Sequence, residues 1–296
     1  MITYTQCPVC KSKSFSSFFS ANDYTVSHEL FEILKCNTCT HLFTQNIPEQ
    51  NKIGKYYQSA NYVSHSNTQV GFVNKLYHAV RTYTLTAKKN FLQTITKKQQ
   101  GKLLDIGCGT GAFLNTMKLA GWECTGLEPD NATRQKAFEL YNLNPLPSHE
   151  IFNLPYNTYD AITMWHVLEH VHQLHEYLKQ LKNMIKNEGK IFIAVPNYTS
   201  YDAHYYGKHW AAYDVPRHLY HFSPMSMKTL VEQHGLTIKK IEPMWFDSFY
   251  VSMLSQQYKC GKGNIIKAFF IGLISNIKTI INKEKCSSLI YVIQKN

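Results

Sequence analysis

The stretch KLLDIGCGTGAFL, residues 102–114, constrains this chain more than any other, because a short apolar run ends in an acid and then in three glycines at alternate positions. The pattern is that of a strand, a tight loop and the start of a helix. Gly107, Gly109 and Gly111 allow positive φ and leave no Cβ between the main chain and a ligand. The amides that open the helix, from about Ala112, point outward and suit a carboxylate or phosphate. Glycine spacing alone does not choose the ligand, since Gly107-x-Gly109-x-x-Ala112 also satisfies the dinucleotide fingerprint. Two acids decide. Asp105, at the carboxyl end of the strand, would face a pyrophosphate badly but suits an ammonium or a ribose edge. A second run, WECTGLEP (residues 122–129), ends in Glu128, 17 residues beyond Gly111, where a carboxylate can accept both hydroxyls of a ribose. Together they describe a cradle for a zwitterionic nucleoside.

At these residues the chain resembles the class I S-adenosylmethionine-dependent methyltransferases: DIGCGTG is similar to their first motif and Glu128 to their ribose-binding acid. The resemblance covers residues 101–250, roughly half the chain. It implies an α/β fold, a doubly wound seven-stranded Rossmann-like sheet, with S-adenosylmethionine held by Asp105, Gly107, Gly109, Gly111 and Glu128. A nicotinamide-dependent dehydrogenase is disfavoured, because the Tyr-x-x-x-Lys pairs, Tyr258 with Lys262 and Tyr291 with Lys295, lie beyond the expected sheet. No GxxxxGK[ST] loop occurs. The organisation read from the chain is a zinc-ribbon module over residues 1–50, a helical cover over 51–100, the cofactor domain over 101–258 and a basic, amphipathic helical extension over 259–296.

The zinc assignment rests on spacing. Cys7-x-x-Cys10 and Cys36-x-x-Cys39 are separated by 25 residues, and each pair sits in a short turn that can present two thiolates to one ion. Four soft ligands close a tetrahedron, so the expected zinc is structural, with no open position for a reactant. His41 is an alternative fourth ligand. The basic residues Lys11, Lys13 and Lys35 are balanced by Asp23, Glu29 and Glu32, so a nucleic-acid partner is not expected. MITYTQCPVC has neither a basic start nor an apolar core of a signal peptide, and the expectation is a cytoplasmic protein with reduced thiols.

Positive charge is unevenly placed. Residues 51–104 carry nine Lys or Arg and no acid, and residues 259–296 carry seven Lys against Glu284, while the rest of the chain is net negative. Such segments favour an anionic partner surface. Within the first, residues 70–92 recur in apolar positions at three and four, an amphipathic helix that the resemblance places over the cofactor; YYQSANY (56–62), before it, is a candidate closing loop. Within the second, IIKAFFIGLISNIKTII (265–281) is apolar but interrupted by Lys267 and Lys278, marginal as a spanning helix and suited to lie on an anionic lipid surface. LTIKKIEPMWF (236–246) and the run beginning at Asp247 read as the last two strands.

Candidate catalytic residues follow from the strand ends. A short third strand is expected in NPLPSHE (144–150), where the resemblance implies adenine contacts from Ser148, His149 and Glu150, and a fourth over residues 161–165. It would put Trp165 and His166 beside the expected methyl group, with Trp165 binding the cofactor and His166 a candidate general base. His166, Glu169 and His170 form an H-x-x-E-H pattern that resembles the E-x-x-E-H metal site of small-RNA methyltransferases and the metal-dependent quinone-biosynthetic O-methyltransferases. The insert after the fifth strand, residues 198–222, holds six tyrosines, Trp210 and four histidines and reads as an acceptor-binding lid. In it Arg217 is a candidate anion clamp, and His218 and His221 are candidate proton acceptors. DVPRHLYHFSP (214–224) resembles a stretch of zinc-ribbon methyltransferases from bacterial envelope-polysaccharide and deoxysugar pathways. The functional expectation is methyl transfer to a small or lipid-linked acceptor, an envelope sugar first. A quinone-type O-methyltransferase with a divalent metal and a non-catalytic zinc-containing scaffold are the alternatives.

Overall fold

The computed structural model describes residues 1–58, 72–261 and 263–296, with 72–79 described as backbone alone. In chain order the elements are β1 (Phe15–Asn22), β2 (Leu30–Cys36), β3 (Leu42–Thr44), α1 (Phe72–Thr96), β4 (Lys102–Ile106), α2 (Ala112–Leu119), β5 (Glu123–Leu127), α3 (Asn131–Tyr141), β6 (Tyr159–Trp165), α4 (Leu174–Met184), β7 (Ile185–Pro196), α5 (Tyr201–Tyr206), β8 (Tyr220–His221), α6 (Pro224–Glu232), β9 (Leu236–Pro243), α7 (Asp247–Cys260), α8 (Ile265–Ile281) and β10 (Ser288–Lys295). They form a four-stranded sheet in the order β1-β2-β3-β8 and a six-stranded sheet in the order β5-β4-β6-β7-β10-β9. The closing-loop candidate YYQSANY lies outside the described residues from residue 59 onward. The chain divides into two compact units, one comprising Met1–His65, Leu168–Leu174 and Ala194–Tyr291, the other Ser66–Val167, His175–Ile193 and Val292–Asn296.

In the second of these units β4 lies between β5 and β6 with parallel pairing. Parallel strands covered on both faces need nearly continuous apolar runs. Leu103, Leu104 and Ile106 of β4 and Ala161, Ile162 and Met164 of β6 supply them, all buried. One polar pair breaks the run: Asp105 stands opposite Thr163 in the register. α2 turns Phe113, Leu114 and Met117 inward. α3 starts at the cap Asp130, whose side chain accepts from Thr133 N, and ends at Asn142 with φ 51°.

The expected seventh strand is missing among the described residues. NPLPSHE makes one bridge, Leu127 with Leu146, and then turns as a 3₁₀ helix over Ser148–Phe152. Pro145 and Pro147 flank the bridge, and without amide hydrogens they cannot extend a ladder. The run beginning at Asp247 is a helix instead of a strand: Ser248, Ser252 and Ser255, spaced by four and three, form the buried face of α7. The last strand is β10, the apolar SLIYVIQK that follows the C-terminal helix.

The other unit is built around the cysteine-bearing segment. β2 pairs with β1 and β3, and β3 pairs with β8 through Leu42 with His221 and Phe43 with Tyr220. Its core gathers Phe31, Ile33 and Tyr56 with Tyr206, Trp210, Tyr213 and Val215. The insert expected to be a lid is therefore packed interior, and each fully buried aromatic contributes about 1.5–3 kcal/mol. Asp202 fastens it, accepting from Trp210 Nε1 at 2.8 Å, Ser275 Oγ at 2.7 Å and Ser287 Oγ at 2.7 Å. Ser223 caps α6 with Pro224 in its first turn.

Candidate functional site

The glycine loop leaves β4 with three positive φ values in alternation, 68° at Gly107, 56° at Gly109 and 81° at Gly111. The three glycines do different work. A Cβ on Gly107 would meet Val167 Cγ2 at 2.5 Å and one on Gly111 would meet Leu143 Cδ1 at 2.8 Å, so both serve packing. At Gly109 nothing lies within 4 Å, so its missing Cβ leaves the main chain open to a ligand. Gly107 N and Cys108 N are tied to Leu127 O at 2.7 and 3.0 Å. Glu128 lies beside them: its carboxylate accepts from Gly109 N and from Asp130 N, each at 3.0 Å. Each oxygen keeps a second lone pair for a hydroxyl donor. Burial raises the pKa of Glu128 against the two amides that lower it.

Asp105 is buried, and Thr163 Oγ1 donates to its Oδ1 at 2.6 Å. Burial lifts its pKa to about 7, against the Thr163 hydrogen bond and the charge of Lys88. A carboxyl group in this state gains from a cation. Trp165, at the end of β6, packs edge-on to Phe113 with ring centroids 5.5 Å apart, and Lys88 Nζ lies 4.2 Å from its ring centroid. Its Nε1 is buried with no hydrogen-bond partner among the described residues. His166 follows with φ 57°, a left-handed conformation uncommon outside glycine. A carboxyl that gains from a cation, a carboxylate with free lone pairs and an open glycine fit the ammonium, ribose and main-chain contacts of S-adenosylmethionine.

In the other unit the four sulfurs of Cys7, Cys10, Cys36 and Cys39 lie within 4.8 Å of one another, with Cys7–Cys39 at 3.6 Å and Cys10–Cys36 at 3.5 Å. Metal–sulfur bonds of about 2.3 Å give a tetrahedron with edges of about 3.8 Å. Both knuckles turn alike: Lys11 and Thr40, each just after the second cysteine of its pair, have φ 62°. Their amides donate to Cys7 O and Cys36 O. This donor set fits a structural zinc. His41 is buried with neither ring nitrogen bonded among the described residues, and burial drops its pKa to about 3.

A second group of possible ligands in that unit is Glu169, His170 and His218, again within 4.8 Å of one another. On a helix, the H-x-x-E-H pattern would put His166, Glu169 and His170 on one face. The segment is instead a three-residue 3₁₀ turn, Leu168–His170, so that spacing is lost and His218 takes the third place. His170 Nδ1 lies 3.0 Å from Arg217 O and 3.1 Å from Tyr57 Oη. His218 Nδ1 lies 2.8 Å from Ala212 O. A carbonyl can only accept, so each Nδ1 donates its proton and Nε2 is the ring nitrogen left to face a ligand. His221 stands apart, its Nε2 3.1 Å from Thr44 Oγ1 and its pKa well below the ordinary value through burial and then the neighbouring His218 and His41.

Arg217 is not available as a clamp. Its guanidinium is fully buried, donating to Asp214 at 2.6 Å, Asp23 at 2.9 Å and Tyr56 O at 2.8 Å.

A family profile described as a methyltransferase domain matches residues 77–241, more than half of the chain. The chain belongs to the methyltransferase domain family. Similar curated members of known role include the mitochondrial ubiquinone biosynthesis O-methyltransferase of Bos taurus, 24% identical over 184 residues that cover 55% of this chain and 50% of the bovine one. The ubiquinone biosynthesis O-methyltransferase of Aeromonas salmonicida is 26% identical over 188 residues, covering 58% of this chain and 77% of its own length. The chain thus spans about half the length of its mitochondrial relatives. Among solved structures, magnesium protoporphyrin IX methyltransferase from Synechocystis PCC 6803 with bound S-adenosylhomocysteine superposes with a TM-score of 0.53 at 13% identity, over 84% of this chain and all of that one. That likeness shows the fold.

Sequence reading missed Thr163, Lys88 and Phe113 around the family's cofactor loop. Thr163 left a signal, a lone hydroxyl in the apolar strand YDAITMW. Lys88 left none, since a lysine on an amphipathic helix reads as solvated surface.

Proposed function

We propose that the protein transfers a methyl group from S-adenosylmethionine to a hydroxyl oxygen of a small phenolic acceptor. The observation that carries the donor half is the carboxylate of Glu128 held on Gly109 N beside an open glycine. When bound, the cofactor supplies a sulfonium methyl that an oxygen can displace in line. Glu128 then holds the ribose, Asp105 balances the amino-acid ammonium and Trp165 closes one side of the site. Little else is asked of the protein beyond placing the acceptor and taking its proton. His166 is the candidate for that proton; His218 is committed to the cation described below, and His221 is buried against Thr44.

The acceptor half rests on Glu169, His170 and His218. Both imidazoles give Nδ1–H to backbone carbonyls, the second-sphere arrangement that orients Nε2 toward a metal. These three residues would hold a divalent cation, which would supply a site for adjacent acceptor oxygens. The names of the relatives, ubiquinone biosynthesis O-methyltransferases, point to the same acceptor class. The envelope-sugar reading has no counterpart among the names of these relatives, and Arg217, paired with Asp23 and Asp214, adds no anion clamp to it.

Calorimetry with S-adenosylmethionine, followed by transfer of labelled methyl to catechols and to nucleotide-linked sugars, tests both halves. The proposal expects binding that Glu128→Ala weakens, and catechol methylation that His218→Ala abolishes while binding persists. Sugar methylation indifferent to His218→Ala would overturn the acceptor half. Folded protein that does not bind the cofactor would overturn both and leave the scaffold reading.

A further inference from the structure

The helical hairpin α7–α8 is built inside out. The face of α8 turned toward the protein is mostly small or polar, with Ala268, Gly272, Ser275 and Thr279 recurring at intervals of three or four. A Cβ on Gly272 would come within 2.9 Å of Phe249 Cδ1 and 3.0 Å of Ser248 O, so the two helices approach closely there. α7 answers with its own buried stripe of Ser248, Ser252 and Ser255. Ile271 is the buried exception, and Phe269 stacks on Phe249 of α7 with ring centroids 5.3 Å apart; most other large apolar side chains point the other way. Ile266, Phe269, Phe270, Ile277, Ile280 and Ile281 are all exposed, Ile266 at 72% and Ile281 at 85%. Their spacing places them on one continuous stripe. A helix that only packed on its own protein would carry such a stripe inward. Trp245, Tyr250 and Met253 add exposed bulk on or beside α7.

Lysines edge the stripe. Lys267 and Lys278 are three helical turns apart on the same flank, 5.9 Å from the Tyr205 ring and 5.3 Å from the Tyr201 ring. Lys259 lies 4.8 Å from Tyr205, and Lys283 and Lys285 follow the helix. Residues 259–296 hold seven lysines against Glu284. The 17 residues of α8 rise about 25 Å, short of a hydrocarbon core of about 30 Å. Among the described residues no helix is long and apolar enough to cross a membrane.

We propose that α8 docks the protein on an anionic phospholipid surface, lying in the interface with its apolar stripe among the acyl chains and its lysines at the headgroups. Charge complementarity selects this occupant. Two copies of the face would bring like charges together around the stripe, whereas anionic headgroups neutralise them. Small residues between the helices and aromatic residues at the rim are the packing that a lipid surroundings favours.

Flotation of the full chain with phosphatidylcholine vesicles, and with vesicles that also contain phosphatidylglycerol, tests the proposal. The anionic vesicles should bind it about tenfold better or more, less so as salt is raised. Phe270→Asp with Ile277→Asp should abolish flotation. Lys267→Glu with Lys278→Glu should reduce it by about tenfold or more, with the circular dichroism spectrum and S-adenosylmethionine binding unchanged. Failure to float with either vesicle overturns the proposal, as does flotation that survives the apolar double variant. A wild-type dimer that ignores vesicles and becomes monomeric in that variant would assign the face to a second copy instead.

Discussion

Replacing Arg217 by methionine removes the charge at the centre of the cysteine-bearing unit while keeping much of the side-chain volume. Its donor contacts to Asp214, Asp23 and Tyr56 O disappear with it. They do not weigh equally. Asp214 is about one-fifth exposed and can rehydrate, so its share is small. Asp23 is fully buried and cannot, although it keeps donors from the amides of Thr25, Val26 and Ser27 and from the Thr25 and Ser27 hydroxyls. Breaking a buried pair from one side costs about 3–5 kcal/mol, and the retained donors favour the lower part of that range. Urea unfolding followed through Trp210, buried in the same core, reads the loss. In an Asp23→Asn background the same substitution should cost less by about 1.5 kcal/mol or more, because no buried charge is stranded. The acid limb carries a second signature. Burial alone would raise the pKa of Asp23, but hydrogen bonds from Arg217 and the Ser27 amide, with the Arg217 charge, hold it well below the carboxylate range. An acid depressed in the folded state contributes stability above its unfolded pKa, 3.8, and that contribution is lost as pH falls through the folded value. Arg217→Met should flatten that limb. A midpoint shift worth less than about 1 kcal/mol, or a higher KM for the acceptor with unchanged unfolding, would refute the structural role and restore the clamp.

Other outcomes follow from the family's cofactor loop and the cysteines. Glu128→Gln should weaken S-adenosylmethionine binding by about 1.5–3 kcal/mol in calorimetry with an unchanged melting curve; equal affinity would remove Glu128 from the ribose. Gly107→Ala places a Cβ 2.5 Å from Val167 and should destabilise by about 2–5 kcal/mol. Gly109→Ala, with nothing within 4 Å, should lower affinity at a stability cost of about 1–2 kcal/mol. Asp105 is held near pKa 7 by burial, so its ionisation opposes folding increasingly as pH rises from the unfolded value toward 7. An ammonium beside it favours the ionised form, and affinity for the cofactor should climb by up to tenfold per pH unit up to about 7 and level off above. A flat profile in the native protein, or an unchanged slope in Asp105→Asn, would exclude this pairing. Protein purified with zinc should hold the ion in elemental analysis, and Cys36→Ser should lose it and unfold its unit at lower temperature; retention of zinc in that variant would move the site elsewhere.

What could be read in the chain was local. The loop from Asp105 to Gly111 depends on residues within a few positions of one another, where propensity and spacing speak directly. The cysteine pairs were legible because metal ligands need turns of fixed length. Long-range choices were not. Nothing near Arg217 names Asp23, 194 residues away, as its partner, so a cation in a histidine-rich stretch reads as a clamp. His218 joins Glu169 and His170 only after the turn at Leu168–His170 is known to be too short for a helical face. α7 was mistaken for a strand because its serines, the helix's buried face, look polar in either periodicity. SLIYVIQK was overlooked because it follows an apolar helix whose pattern absorbs attention, although its β-branched run suits a covered strand.

The pairing of β3 with β8 carries a consequence for synthesis. Thr44 and His221 touch across 177 residues of chain, so until the segment carrying His221 leaves the ribosome, β3 presents an open edge of unpaired backbone to every other nascent strand. The cysteine turns are complete early, but the sheet beneath them must wait for the segment that carries Tyr220 and His221. A fragment cut after the second cysteine pair would carry the four thiols without the strand that closes the β3 edge.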